Sequence, residues 1–145
     1  MLEVVAQQAI RRPAAEVFDF IADMANNTQW QKGMRSCAWT SDPPVRVGST
    51  YDQEASFLGK KIVSSFEVTG FVPGERIRIT STSGPMPIDV MREVDPVTDN
   101  VCLVEAVVRG DATGLFRIAT PIIKLMVRRS VNADYRRLKA LLEAR

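Results

Sequence analysis

A chain of 145 residues that is 46% hydrophobic and 25% charged has the make-up of a globular protein, so intrinsic disorder is not expected. Its formal net charge is only +2, with 19 Lys and Arg against 17 Asp and Glu, which argues against a dedicated nucleic-acid binder. Histidine is absent, which excludes Ser-His-Asp and Cys-His nucleophiles, histidine-bearing zinc sites and ordinary haem ligation.

In chain order, Leu2–Ile10 reads as a first strand, because Leu2, Val4, Ala6 and Ile10 alternate with Glu3, Val5, Gln7 and Ala9. Pro13 suits the first turn of a helix, where its missing N–H costs nothing. Ala14, Val17, Phe18 and Ile21 then recur at helical spacing, with Glu16 and Asp19 pointing away. The polar stretch from Asn26 to Gln29, ending on Trp30, predicts a second short helix or a turn.

Six strands follow: Met34–Thr40, Ser49–Leu58, Lys61–Phe71, Arg76–Ser81, Ile88–Val94 and Val101–Arg109. Each break carries Gly, Pro, Asn or Asp, and such short links imply an antiparallel meander. Several strands are two-faced: Tyr51, Gln53, Ala55 and Phe57 oppose Asp52, Glu54 and Ser56, while Ile62, Ser64, Phe66 and Val68 oppose Val63, Ser65, Glu67 and Thr69. One face of such a sheet must be covered.

The cover is the C-terminal segment. Pro121 either opens a helix near Ala119 or kinks a longer one from Gly114. On a helical wheel Ile123, Val127, Val131, Leu138, Leu141 and Leu142 share one arc, with Tyr135 at its edge; Ile122, Met126 and Ala133 widen it. Lys124, Arg128, Arg129, Arg136 and Lys139 fall opposite. Ser130 and Asp134 interrupt the apolar stripe, and Arg137 borders it. A carboxylate there needs a partner, because burying it bare costs several kcal/mol. Either Arg137 or the sheet satisfies Asp134, or Asp134 lines an internal cavity.

The chain length fits one domain spanning residues 1–145. No apolar run approaches the roughly 20 residues of a membrane span, and the charges of the N-terminal segment follow its apolar residues, the reverse of a secretory signal. These features predict a cytoplasmic protein. Cys37 and Cys102 lie far apart, so they read as small buried hydrophobes in a reducing compartment, with a disulfide or a reactive thiol as the alternative.

The order of elements resembles the helix-grip fold of the START/polyketide-cyclase superfamily (SRPBCC). The resemblance is carried by "IRRPAAEVFDFIADMANNTQW", "VGSTYDQEASF", "FEVTGFVPGERIRITS" and "YRRLKALLE", and it spans essentially the whole chain. It implies an α+β domain with a curved antiparallel sheet of about seven strands, wrapped around a long C-terminal helix, with two short helices after the first strand. It also implies a deep, largely apolar cavity for a lipid, polyketide or other hydrophobic molecule. No shared catalytic motif comes with it, so the fold supports a cavity more than a reaction.

Placement by strand parity and helix face offers Tyr51, Gln53, Phe57, Ser64, Phe66, Met126, Ser130 and Asp134 as cavity residues, with Tyr135 as a further candidate and Trp30 and Trp39 near an entrance. Arg92 shares parity with Ile88, Val90 and Val94. It either points inward, to pair with Asp134 or an acidic ligand group, or is returned to solvent by a bulge.

Three functions remain. The first is a carrier or sensor of a hydrophobic small molecule, needing neither metal nor cofactor. The second is a cyclase or dehydratase using Asp134, Tyr51 or Tyr135 as its acid or base. The third is an interaction protein using the segment Gly114–Arg145, which carries eight basic and two acidic residues. The sequence leaves homodimer formation open.

Overall fold

The structure, a computed structural model, describes residues 2–111 and 119–145. Strand β1 (Leu2–Ile10) is followed by helix α1 (Ala14–Ala22), a 3₁₀ helix (Met24–Gln29), strands β2 (Met34–Trp39), β3 (Thr50–Phe57), β4 (Lys60–Val72), β5 (Arg76–Ser83), β6 (Ile88–Thr98) and β7 (Val101–Gly110), and helix α2 (Thr120–Glu143). The strands form one seven-stranded sheet in the order β1-β7-β6-β5-β4-β3-β2. It is antiparallel throughout. This is the expected α+β helix-grip arrangement: a curled sheet with one long helix.

The curl has a local cause. Register shifts interrupt the ladders at Met34/Ser36, Ser65/Phe66, Val68/Gly70 and Pro96/Thr98. Each extra residue bends its strand and increases the twist. The last one also corrects the sequence reading: β6 runs on through Asp95 and Pro96, and the turn is confined to Asp99 and Asn100. Proline is tolerated in the strand because it sits beside the interrupted rung.

Pro13 stands just before α1, and its carbonyl accepts the Val17 N–H at 3.1 Å. Val17, Phe18, Phe20, Ile21 and Ala22 are buried. Pro121 lies in the first turn of α2, as the shorter of the two readings expects, with the Ala119 carbonyl accepting from Ile122 and Ile123. The alternative start at Gly114 lies outside the described residues. Ile123, Tyr135, Leu138 and Leu142 are the buried residues of α2. Ile122 is exposed, so the apolar arc is narrower at the N-terminal end than the wheel suggests. Cys37 is half-buried and Cys102 buried, both as free thiols.

The C-terminal end of α2 is clamped to the corner between β1 and α1. Glu143 accepts the Arg11 N–H at 2.8 Å and pairs with the Arg11 guanidinium at 3.3 Å and with Lys139 at 3.2 Å. Arg12 donates to the Glu143 carbonyl at 2.9 Å, and Lys139 donates to the Ala9 carbonyl. The clamp fixes direction more than it supplies energy. Solvent-exposed ion pairs such as Arg11–Glu143 contribute about 0–1 kcal/mol each, whereas truncating a side chain as buried as Leu138 costs about 2–5 kcal/mol.

The Arg11 N–H, together with the Arg11 and Lys139 side chains, holds the Glu143 carboxyl down from 4.5 to about 2. Folding therefore favours its ionised form. The stabilisation is complete above pH 4.5 and is lost as pH falls toward about 2. Denaturant melts across this range should show wild type losing stability on acidification. Glu143→Gln should start lower at neutral pH and run flatter through the same window.

Candidate functional site

Between the register shifts, side chains alternate across the sheet, and the concave face holds Val4, Ala6, Ile10, Tyr51, Phe66, Val68, Ile77, Ile79, Val94, Val104 and Ala106 in the core. The backbone of α2 approaches β1 most closely. Across the middle strands the space between helix and sheet is therefore left to side chains, and two adjoining pockets remain.

The first pocket, of about 210 Å³, is bounded by Val4, Phe57, Ile62, Ile88, Val108 and Val127 among others. The second, of about 160 Å³, extends toward Asn27, Phe66, Arg92, Asp134 and Tyr135. Gln31, Met34, Gln53, Ile88, Val108 and Val131 border both. Outside them lies a cationic vestibule of about 480 Å³, walled by Lys32, Arg35, Arg129 and Arg137 with Phe57, Ser130 and Asp134.

Arg92 lies at the blind end. Its rung of the sheet reads Ala6, Ala106, Arg92, Ile77, and the two alanines leave room for a long side chain beneath α1. Nη1 donates to the Ile21 carbonyl at 2.9 Å and to Asn27 Oδ1 at 3.2 Å. The guanidinium lies over the Trp30 ring, 5.0 Å from its centre. Arg92 is 3% exposed, and its Nε has no acceptor.

Inward parity is thus met, but the partner is not Asp134. The neutral groups come from the end of α1 and the 3₁₀ helix, which sequence spacing could not indicate. Removing an ion from water costs several kcal/mol. A desolvated cation–π contact returns about 2 kcal/mol, so the cation is solvated by dipoles and a ring without being neutralised.

Asp134 joins the two compartments. Its Oδ1 accepts the Lys32 N–H at 3.1 Å and pairs with Arg137 at 2.5 Å. The same side chain lines the inner pocket and the vestibule. Both readings made from the sequence describe this one carboxylate. Desolvation pushes its carboxyl above the usual value, against the pull of the Lys32 N–H and the Arg137 guanidinium. Tyr135, also on the inner wall, is pushed up by burial against the Arg92 charge.

Other expected residues lie elsewhere. Trp30 is a core residue, 1% exposed, in edge contact with Tyr135 at 4.9 Å, and so does not stand at an entrance. Trp39 donates its Nε1 to Asp23 at 2.8 Å. It lines a separate groove of about 640 Å³ with Phe18, Pro44, Val45 and Phe71, to which α2 contributes nothing.

Tyr51 is stacked on Phe66 at 5.1 Å and fully buried, and neither inner pocket reaches it. Burial pushes its phenol far up, which leaves it poorly suited to proton transfer. Ser64 is buried inward, but its Oγ has no partner and it lines neither pocket; Met126 likewise lines neither. Among the described residues no cluster of acidic or sulfur side chains could hold a metal ion, and no helix is long and apolar enough to cross a membrane.

A family model described as polyketide cyclase/dehydrase and lipid transport matches residues 1–143. No curated protein matches the sequence. The fold is similar to that of a START superfamily protein from Mycobacterium smegmatis, with a TM-score of 0.82 at 11% identity, covering 99% of each chain. A protein from Thermus thermophilus gives 0.79 at 18% identity, covering 95% of this chain and 94% of that one. An aromatase/cyclase from Streptomyces sp. R1128 gives 0.75 at 11% identity, covering 97% and 93%. At such identities the likeness establishes the fold alone.

Because folding raises the Asp134 value above the ordinary 3.8, the ionised form is the one the fold disfavours. Stability should therefore decline as pH rises through the folded value. In Asp134→Asn, whose amide oxygen still accepts the Lys32 N–H, that decline should disappear. Carbon-detected titration of the Asp134 carboxyl, with denaturant melts of both proteins, checks this.

Proposed function

Because the chain belongs to the polyketide cyclase/dehydrase and lipid transport family over residues 1–143, we propose that it binds a hydrophobic small molecule between α2 and the concave face of the sheet, as a carrier or sensor. The observation that carries this reading is the pair of adjoining pockets, apolar on most sides with a few polar groups at their ends. That is the usual composition of a small-molecule site. Their volumes, about 210 and 160 Å³, fall at the low end of the usual range of about 300–1,000 Å³ even when joined. The size favours a medium-length chain or a small ring system over a large polycycle.

Charge supports the inner space over the outer groove for any ligand with an acidic group. The groove beside Trp39 is lined by Asp19, Asp23 and Asp42 and by no cation among the described residues. The vestibule carries four cations and one carboxylate. A cationic entrance raises the local concentration of acidic ligands.

A second reading, an enzyme of the cyclase or dehydratase type, is favoured by Asp134 alone. A carboxyl raised by desolvation on a pocket wall is suited to donate a proton. Under this reading Asp134→Asn loses about 100-fold or more of turnover on a reactive polyketone while still binding it.

Native mass spectrometry of freshly purified protein is the test of the first reading. A retained hydrophobic mass is expected, and Val131→Phe, which fills the wall common to both pockets, should lose it with helix content and melting unchanged. Equal retention by Val131→Phe would contradict an inner site.

A further inference from the structure

Among the described residues Arg92 is the one buried cation on the inner face. Three observations converge. The guanidinium is 3% exposed, yet among the described residues it has no carboxylate partner, since Asp134 is engaged by Arg137 and the Lys32 N–H. Its Nε–H has no acceptor, although buried N–H groups are almost always answered. It lines the inner pocket, whose other polar groups are Asn27, Gln31, Gln53, Tyr135 and the Asp134 carboxylate already paired with Arg137.

A structural arginine kept only for packing would need neither a pocket beside it nor an open donor. A guanidinium is, moreover, the side chain whose forked donors match a carboxylate.

We propose that Arg92 anchors the anionic head of the ligand, so that this protein takes amphiphilic acids: a carboxylate at the blind end, and an aliphatic or small aromatic body running toward Val108, Val131 and Phe57. The inference rests on the pocket reading above and narrows it to a chemical class. The route is consistent in charge, because an acid entering past Lys32, Arg35, Arg129 and Arg137 moves from exposed cations to a desolvated one. Attraction at the vestibule is screened by salt, whereas pairing inside is screened much less. Neutral dipoles and the Trp30 ring hold the guanidinium in place in the free protein. The incoming carboxylate then meets a donor already oriented, which limits the ordering cost of binding.

The test uses two ligands of equal length, decanoate and decanol, competing with the neutral fluorophore N-phenylnaphthylamine on the intact chain. Decanoate should displace the fluorophore at about tenfold lower free concentration than decanol, equivalent to about 1.4 kcal/mol. The difference should persist in about 0.5 M salt. Arg92→Gln should weaken decanoate alone. Asn27→Asp places a carboxylate 3.2 Å from the guanidinium in the fold itself, and should remove the preference while keeping Arg92 and the fold. It decides the matter if Arg92→Gln does not fold.

Equal displacement by acid and alcohol overturns the anchor and leaves the pocket standing. So does a preference that survives Asn27→Asp or vanishes with salt. Failure of the fluorophore itself to bind overturns the pocket reading and the anchor together.

Discussion

One helix has to cover the concave face of a seven-stranded sheet, and it cannot fill the space it covers. A helix with its side chains is about 10–12 Å across. The 24 residues of α2 run close to β1 and stand off from the middle strands. Everything else follows from how the remaining gap is closed. At one end α1 and the 3₁₀ helix close it with Phe18, Ile21, Met24 and Trp30. At the other end a smaller cluster of Leu2, Ile62 and Ile123 with Phe57, Met86 and Val127 closes it, and the pockets are what is left between the two.

The polar groups follow the same geometry. Where the 3₁₀ helix meets the sheet, two alanines on the Arg92 rung make space for a guanidinium and the Ile21 carbonyl receives it. Where α2 meets the segment before β2, Asp134 ties the helix to the Lys32 N–H. Gly33, next in the chain, lies so close to β3 that a side-chain carbon there would stand 2.6 Å from the Ser56 carbonyl. Helix, loop and strand are thus held against one another at the vestibule, and Asp134 belongs to both the support and the wall.

The strands and the long helix were legible because their patterns are periodic. Every second residue of β1 and β4 is buried through most of their lengths, as period-two alternation requires. Parity also offered an inward Arg92, against a bulge or sheet end that would return it to solvent, and the side chain is buried. Parity could not name Ile21, Asn27 and Trp30 as its surroundings, since those come from the end of α1 and the polar stretch after it, far away in sequence, and no periodicity says which carbonyl or ring meets which strand. Parity overreached for Tyr51 and Ser64, which face inward but are packed beneath neighbours. Facing the inside of a sheet and lining a pocket are different properties, and only the second depends on how far the cover stands off. The clamp of Arg11, Arg12 and Glu143 went unread because its members meet only once the chain ends have been brought together. The basic stripe of α2 is partly absorbed in the same way, with Arg137 and Lys139 engaged by Asp134 and Glu143.

Under the proposed function, ligands enter the space beneath α2 and not the larger groove beside Trp39. Isotope-filtered nuclear Overhauser spectroscopy with bound N-phenylnaphthylamine tests it most directly. Contacts are expected from the ligand to the methyl groups of Ile88, Val108, Val127 and Val131. Contacts to Val45, Phe71 and the Trp39 ring, with the Val108 and Val131 methyls silent, would contradict it.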